Sequence, residues 1–367
     1  MSHVKAKRVS NYELFYDLVF VFITTNLTRF IHGGHVTAFS LFVFVTANFL
    51  FLSLWTLETV YLNQYGERDL LDIFTIIASM FAIGSAGLHM ELDFEKHGLA
   101  FNSWITVAYA IIWLQYYLRG KKTTERPKEY RLMQNILLCL IASGLFMVIL
   151  SYFKVFGSNV FGASLYLVLV FFPLLFRNNF DYSLINFPHL VERYQLITII
   201  TFGETVIATI TTYTNSLSLV GMLIFLGMSF LFMFYVSQTQ LNIDHHQVTP
   251  INLYSYAHLG IILGLNFFTI GIESIGNEHH RELGFIFFLV GLALFYLCLS
   301  LTSRYNQKAY RPGKKDFLLY VTILVCGLGA IYVTRHYLYL SLICFNIMAF
   351  ILVNHVFYFR RRKDNRN

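Results

Sequence analysis

Apolar residues in this chain run in unbroken blocks of about twenty, separated by short polar connections, with neither the alternation of a strand nor the stripe of an amphipathic helix. A block of about twenty is the length of helix that crosses the hydrocarbon core of a bilayer. Such blocks centre near residues 14–31, 36–61, 71–90, 100–118, 133–153, 160–176, 194–213, 219–240, 254–275, 283–303, 317–335 and 338–359. The pattern predicts an all-α polytopic membrane protein of about twelve transmembrane helices, with no room left for a soluble domain. The first block follows Lys5, Lys7 and Arg8, contains Asp17 and shows no small-residue cleavage site. It is expected to stay as a start-transfer anchor, not to be removed as a signal peptide.

Composition agrees. Of 367 residues, 56% are hydrophobic and 13% are charged, about half the charged share of a soluble domain. A soluble enzyme, a disordered chain and a small disulfide scaffold are excluded. Cys139, Cys298, Cys326 and Cys344 lie inside apolar blocks with no CxxC pair, and are expected to pack as small core hydrophobes. No P-loop, HExxH, dinucleotide fingerprint or nucleophile elbow occurs, so neither a cofactor, a metal site nor an enzyme activity is expected.

The net charge of +7 acquires a meaning once it is sorted by loop. With the N-terminus inside, twenty-two of the 27 Lys and Arg fall on the inner side and five on the outer. That asymmetry predicts N- and C-termini on the cytoplasmic side of the membrane. The basic residues then face anionic inner-leaflet lipid, and no nucleic-acid partner is expected. Self-association into a homo-oligomer stays open.

Six spans per half invite comparison of the halves. Aligned span by span, Glu13 falls on Glu192, the third spans place Met80–Gly84 beside Phe267–Gly271, and the fifth place Leu137-Leu138-Cys139 beside Leu324-Val325-Cys326. The fourth span of each half precedes a strongly basic inner loop, at 119–131 and 304–315. This predicts two parallel six-helix repeats, residues 1–180 and 181–367, about an axis along the membrane normal.

Ionisable residues inside the spans are the candidate chemistry, because each costs about 2.5–3.5 kcal/mol at a helix centre and must face protein or water. Glu13 and Asp17 are four apart on one face of the first span, continued by Thr24 and Thr28. The seventh span opens with His189, Glu192 and Arg193. Eleven residues after Arg193, about 16 Å along the axis, comes Glu204, the deepest carboxylate and the strongest candidate for an ion or proton site. For Glu13, Asp17, His189, Glu192 and Arg193 two readings stand: a structural ion-pair clamp between the first and seventh spans, or the lining of an inner vestibule leading to Glu204. Asp72 and His258 begin the third and ninth spans at nearly matching repeat positions, and His258 alone reads most simply as a packed, satisfied histidine. Glu58 is expected to end the second span. His245-His246 and His279-His280 fall on opposite sides of the membrane and cannot share a metal. Gly260 and Gly264 form a GxxxG suited to close helix packing. Trp55, Trp104, Trp113, Tyr116 and Tyr117 suit interfacial belts.

Glu13-Leu-Phe-Tyr-Asp17-Leu-Val-Phe-Val21 resembles the opening signature of the bacterial low temperature requirement A (LtrA) membrane proteins. His189-Leu-Val-Glu192-Arg193, followed by Ile199-Ile-Thr-Phe-Gly203-Glu204, resembles that family's second signature, with Phe202 where an aliphatic residue is usual. The resemblance implies a multi-pass protein of the bacterial plasma membrane linked to growth in the cold, and supplies no settled biochemical activity. Phe15-Tyr16-Asp17 is also similar to the Phe-Ser-Asp motif of two-repeat endolysosomal and bacterial potassium channels, with Tyr16 in place of Ser and Leu196 where the second Asp would fall. The expected function is a transport pathway for protons, cations or a small solute, running between the halves in a lipid environment. Glu204 is its expected ion site, and Asp17, Glu13, Glu192 and Arg193 its inner gate. A cation channel, a lipid-handling enzyme and a non-transporting scaffold are the alternatives.

Overall fold

The computed structural model describes residues 7–32, 36–67, 69–90, 94–122, 128–155, 157–213 and 218–364. These contain twelve long helices: α1 (Asn11–His32), α2 (Ala38–Tyr65), α3 (Leu70–Leu88), α4 (Phe94–Lys122), α5 (Lys128–Tyr152), α6 (Ser158–Phe171), α7 (Phe187–Thr212), α8 (Leu219–Val236), α9 (Asn252–Ile275), α10 (Arg281–Leu301), α11 (Lys314–Val333) and α12 (Leu338–Asp364). All twelve, α6 with its 3-10 continuation, are long and apolar enough to cross a membrane. Among the described residues no β-strand forms; one isolated bridge joins Ile243 and Asn306.

Polar side chains set the helix ends. Thr37 caps α2 in a reciprocal pair with Ser40, and Asp69 caps α3 through the Asp72 N–H. Asn186 caps α7 by accepting from the His189 N–H at 3.2 Å. The Lys7 ammonium donates to the carbonyls of Leu62 and Gly66, at 2.6 and 2.8 Å, neutralising the C-terminal end of α2. In the connection before α7, the Ser183 hydroxyl and N–H bond Asp181 and hold its carboxyl below the usual range.

The chain divides into two compact units within α7. One holds the residues up to Ile197 with His246–Asn252; the other holds Thr198–His245 with Leu253 onward. In the first unit α1 packs on α2 and α3, α4 on α3 and α5, and α2 on α4 and α6. One stripe of α1 is buried (Glu13, Tyr16, Asp17, Phe20, Ile23, Thr24, Leu27, Thr28 and Ile31), while Phe15, Leu18 and Phe22 on the other side are exposed, as a lipid-facing side requires. Thr24 and Thr28 return their hydroxyls to carbonyls of their own helix, so the upper part of the stripe is effectively apolar.

The second unit is built around α9, which is buried along nearly its whole length, while α11 is mostly exposed. A continuous apolar cluster of Phe, Leu, Ile and Tyr side chains surrounds it. Glycines let α9 and α10 touch backbone to backbone: a Cβ on Gly264 would stand 2.7 Å from the Phe295 nitrogen and 2.9 Å from the Gly291 oxygen. The GxxxG expected from sequence is therefore used, with Gly291 completing it from the facing helix.

Three expectations fail. Trp55 and Tyr116, assigned to interfacial belts, are fully buried. Glu58 does not end a span, because α2 continues two turns further, to Tyr65. Cys139 and Cys326 are exposed, and Cys298 and Cys344 half-buried: in lipid a thiol gains little from being inside, so apolar surroundings in sequence do not mean a core position. Trp104 and Trp113 are half-buried and Tyr117 is exposed, and Tyr117 stacks on Trp113 with the Lys121 ammonium 4.5 Å from its ring.

Candidate functional site

The buried polar side chains of the first unit concentrate where α1, α2 and the start of α7 meet. Arg193 is wholly buried and supplies the central charge. Its Nη1 donates to Asp17 Oδ2 at 2.8 Å and to the Glu13 carbonyl at 2.7 Å. The Trp55 indole N–H donates to the other Asp17 oxygen at 2.8 Å. The guanidinium lies 5.4 Å from the Trp55 ring centroid, and Tyr194 packs edge-on to the same ring. Asp17 thus has a bond to each oxygen, one of them charge-assisted.

Glu13 sits one turn nearer the N-terminus. Its Oε2 accepts from the Ser10 N–H and hydroxyl, at 2.7 and 2.8 Å, and its Oε1 lies 3.0 Å from His189 Nε2. The tautomer of His189 follows from its other neighbour. The Asn63 side-chain oxygen accepts from the Asn186 N–H and its amide donates to the Asn186 carbonyl, both at 2.9 Å. That pairing fixes which end of the Asn63 amide is nitrogen, and this nitrogen is also 2.9 Å from His189 Nδ1. Nδ1 therefore accepts, and the ring proton sits on Nε2, facing Glu13.

Two further groups extend this core. On α2, one turn beyond Trp55, Glu58 is wholly buried. Its Oε1 accepts from Gln115 on α4 at 2.6 Å, and the same amide donates to Thr75 on α3 at 3.0 Å. Tyr16 and Ser79 lie within its reach. At the start of α3, Asp72 takes the Arg119 guanidinium at 2.7 Å, the Tyr61 hydroxyl at 3.1 Å and the Glu67 N–H at 2.7 Å. Arg119 also pairs with Glu67 and Asp69. A cavity of about 10 Å³, room for about one water, is lined by both Glu13 and Asp72, with Lys7 at its wall.

Of the residues predicted from sequence, Glu13, Asp17, His189 and Arg193 converge. Glu192 does not: it lies on the exposed side of α7, because one residue along a helix turns about 100° away from Arg193. Asp72 joins the Arg119 group. Glu204 is buried on α7 but belongs to the second unit, next to Thr205, whose hydroxyl bonds Thr269 of α9 at 2.7 Å. His258, also in the second unit, is wholly buried between the Tyr254 carbonyl, 2.9 Å from Nδ1, and the Tyr235 hydroxyl, 3.2 Å from Nε2. Among the described residues no three His, Cys, Asp or Glu side chains converge to hold a metal.

Sequence reasoning overlooked Trp55, Glu58, Asn63, Gln115 and Arg119. A signal existed for the first three: Trp55, Glu58, Thr59, Leu62 and Asn63 recur at helical spacing on α2. Gln115 interrupts an apolar run, and Arg119 was counted only as a loop charge.

The converging residues carry both stretches of sequence that suggested a family. A family model described as the bacterial low temperature requirement A protein (LtrA) matches residues 8–354. None of the curated proteins compared matches the chain. With the match running through all twelve candidate spans, from before α1 into α12, the chain belongs to the bacterial low temperature requirement A family and is an integral, multi-pass membrane protein.

Proposed function

We propose that the protein moves protons or small cations across the bacterial plasma membrane, and that the buried polar core of the first unit forms the inner segment of the route. Glu58 carries this reading. It is a fully buried carboxylate on a spanning helix, and its bonded partner is the neutral Gln115. A clamp that served stability alone would pair that charge or replace it with an apolar side chain, since unpaired burial is costly. Glu58 can take up and release a proton without breaking an ion pair. Asp17, held by Arg193 and Trp55, cannot.

Orphaned polar atoms support a hydrated interior. Arg193 Nε and Nη2 are buried without a hydrogen-bond partner among the described residues. Buried groups of this kind are normally satisfied by water. The small cavity touching Glu13 and Asp72 supports entry from the end where Lys7 lies. In this reading both termini are cytoplasmic and the Glu13–His189 and Asp17–Arg193 pairs guard the inner entrance. Glu204, three turns beyond Arg193 along α7, is the buried carboxylate proposed as a further proton or cation site. The two six-helix halves are read as a duplication, supported by α2 packing on α6 in the first half as α8 packs on α12 in the second.

Reconstituted proteoliposomes carrying a pH dye, with imposed potassium and sodium gradients, test this. The expected result is a flux that Glu58→Gln and Glu204→Gln each reduce. No flux with any of the three ions, or one that both variants leave untouched, defeats the proposal. The saturation of both Asp17 oxygens favours a second reading, a scaffold that transports nothing, which predicts silent liposomes with a folded protein.

A further inference from the structure

The second unit contains a cavity that none of the chemistry above uses. It lies where α8, α10, α11 and α12 end beside the basic segment 304–315, and its volume is about 80 Å³, several times that of the cavity beside Glu13. Phe234, Tyr320 and Tyr310 form its aromatic wall; Asn242, Asp316 and His355 are among its polar lining. Phe234 and Tyr320 stack with centroids 6.0 Å apart.

The amide donors around it and the Tyr320 hydroxyl are committed elsewhere. Gln238 Nε2 donates to Thr302 at 3.2 Å and to Asn306 at 2.8 Å. Asn242 Nδ2 donates to Gln238 at 3.3 Å, and Asn306 Nδ2 to the Tyr310 carbonyl at 3.1 Å. The Tyr320 hydroxyl donates to the Tyr296 carbonyl. The acceptors are not used up. Asn242 is 4% exposed and its Oδ1 has no hydrogen-bond partner. Asp316 spends one oxygen on the Gly313 N–H at 3.1 Å. A cavity with aromatic walls, a carboxylate and an orphaned amide oxygen suits a ligand rich in N–H donors and positively charged.

The rim has the opposite sign. The exposed Arg311 bonds the Asn306 carbonyl at 3.1 Å, and Arg360 stacks 4.6 Å from the Tyr310 centroid. Lys314 and Lys315 open α11 just before Asp316. A simple cation would meet this basic rim first and be repelled. A zwitterion with a phosphate next to a primary ammonium fits both parts: phosphate on the rim, ammonium in the cavity. Here the apolar spans end and polar headgroups begin. We infer that this cavity is a binding site for a phosphoethanolamine group, formed by Asn242 and Asp316 for the ammonium and by Arg311 and Arg360 for the phosphate.

The test is native mass spectrometry of the purified full chain titrated with phosphatidylethanolamine, phosphatidylcholine and phosphatidylglycerol. Phosphatidylcholine keeps the zwitterion but has no N–H to donate; phosphatidylglycerol keeps only the phosphate. Phosphatidylethanolamine is expected to bind roughly tenfold more tightly than either, the worth of a charge-assisted hydrogen bond. Asp316→Asn and Asn242→Ala should each remove that preference while phosphatidylglycerol binding persists, which also reports that the variants fold. Because Asp316 caps α11, Asn242→Ala carries the test if Asp316→Asn is lost. Displacement of the bound lipid by soluble phosphoethanolamine identifies a soluble metabolite as able to fill the site; its failure to displace identifies the lipid as the source. Equal binding of phosphatidylethanolamine and phosphatidylcholine, or a preference that survives in Asn242→Ala, overturns the inference.

Discussion

The two units solve the same problem with opposite cores. The first buries Glu13, Asp17, Glu58, Asp72, Arg119, His189 and Arg193 among its helices. The second buries a sheath of Phe, Leu and Ile around α9, with glycines drawing α9 and α10 into backbone contact. In lipid the hydrophobic effect does not drive helices together, because acyl chains are as apolar as Leu. The second unit relies on dispersion at close range. The first relies on polar contacts that bilayer lipid cannot provide. Among the described residues the second unit packs its spans with a single buried carboxylate, Glu204, and no buried Arg, so the charged core of the first unit exceeds what packing requires, and the excess is where a function should be sought.

The sharpest way to break this contrast is to remove its central charge. Arg193→Leu leaves Asp17 Oδ2 and the Glu13 carbonyl without their donor. Removing one partner of a buried pair costs about 3–5 kcal/mol, read as a large drop in melting temperature of the detergent-solubilised protein. Arg193→Leu combined with Asp17→Leu should recover part of that loss, because the stranded carboxylate goes too. A double variant no better than the single shows that the pair was not coupled, and that polar contact does not hold this unit.

The complementary experiment strikes the apolar unit. Gly291→Leu places a side chain where a Cβ alone would meet the Gly264 oxygen at 2.6 Å and the Phe268 nitrogen at 2.5 Å. The helices must separate, which costs about 1–3 kcal/mol for ordinary overpacking and disturbs the whole seam. A Leu at Gly203, where a Cβ meets nothing within 4 Å, is the control and should leave the melting temperature nearly unchanged. Equal tolerance at both positions denies that close approach holds α9 to α10.

A smaller effect separates the tryptophan from its ring. Trp55→Phe keeps most of the aromatic contact with Tyr194 but withdraws the indole N–H from Asp17. One buried acceptor oxygen is stranded, at about 1–3 kcal/mol. If the proposed flux exists, this variant should alter it more than Trp104→Phe, whose half-buried ring packs edge-on to Phe81 and makes no contact with Asp17. Equal effects return Trp55 to the belt role its residue type suggests.

These sites differ in how far sequence revealed them, for physical reasons. Span number and position were plain, since the length of an apolar block is a local property. Glu13 with Asp17, and His189 with Arg193, stood out as charges at helical spacing inside apolar runs. Their mutual pairing was readable only as an expectation, because it depends on how α1 meets α7. Trp55 and Glu58 were misplaced through one error. α2 has 28 residues, about 42 Å at 1.5 Å per residue, well beyond the hydrocarbon thickness. Its aromatic, polar last turns read as a loop, and that reading pushed both residues to a membrane surface. Glu192 was grouped with its neighbours because proximity in sequence is not proximity on a helix. The preference for α9 and α10 to touch was written in Gly260 and Gly264, but its partner Gly291 could be named only once the facing helix was known.

The smallest expected effect compares two buried histidines, one in each unit. His189 accepts at Nδ1 from Asn63 and carries its proton on Nε2. His258 has Nδ1 2.9 Å from the Tyr254 carbonyl, and a carbonyl only accepts, so there the proton sits on Nδ1 and Nε2 accepts from Tyr235. Nitrogen-15 shifts of selectively labelled protein should therefore show opposite neutral tautomers, each with one protonated and one bare ring nitrogen. His258→Phe, in apolar surroundings with two modest bonds to lose, should cost about 1 kcal/mol. His189→Phe should cost more, because Glu13 Oε1 then faces an apolar ring. Matching tautomers would contradict the hydrogen-bond assignment at one site. A doubly protonated His189 would mean something more specific: Glu13 and Asp17 would each be matched by a fixed cation, and the inner cluster would be a closed clamp. Glu58 would then have to carry the proton traffic of the first unit alone.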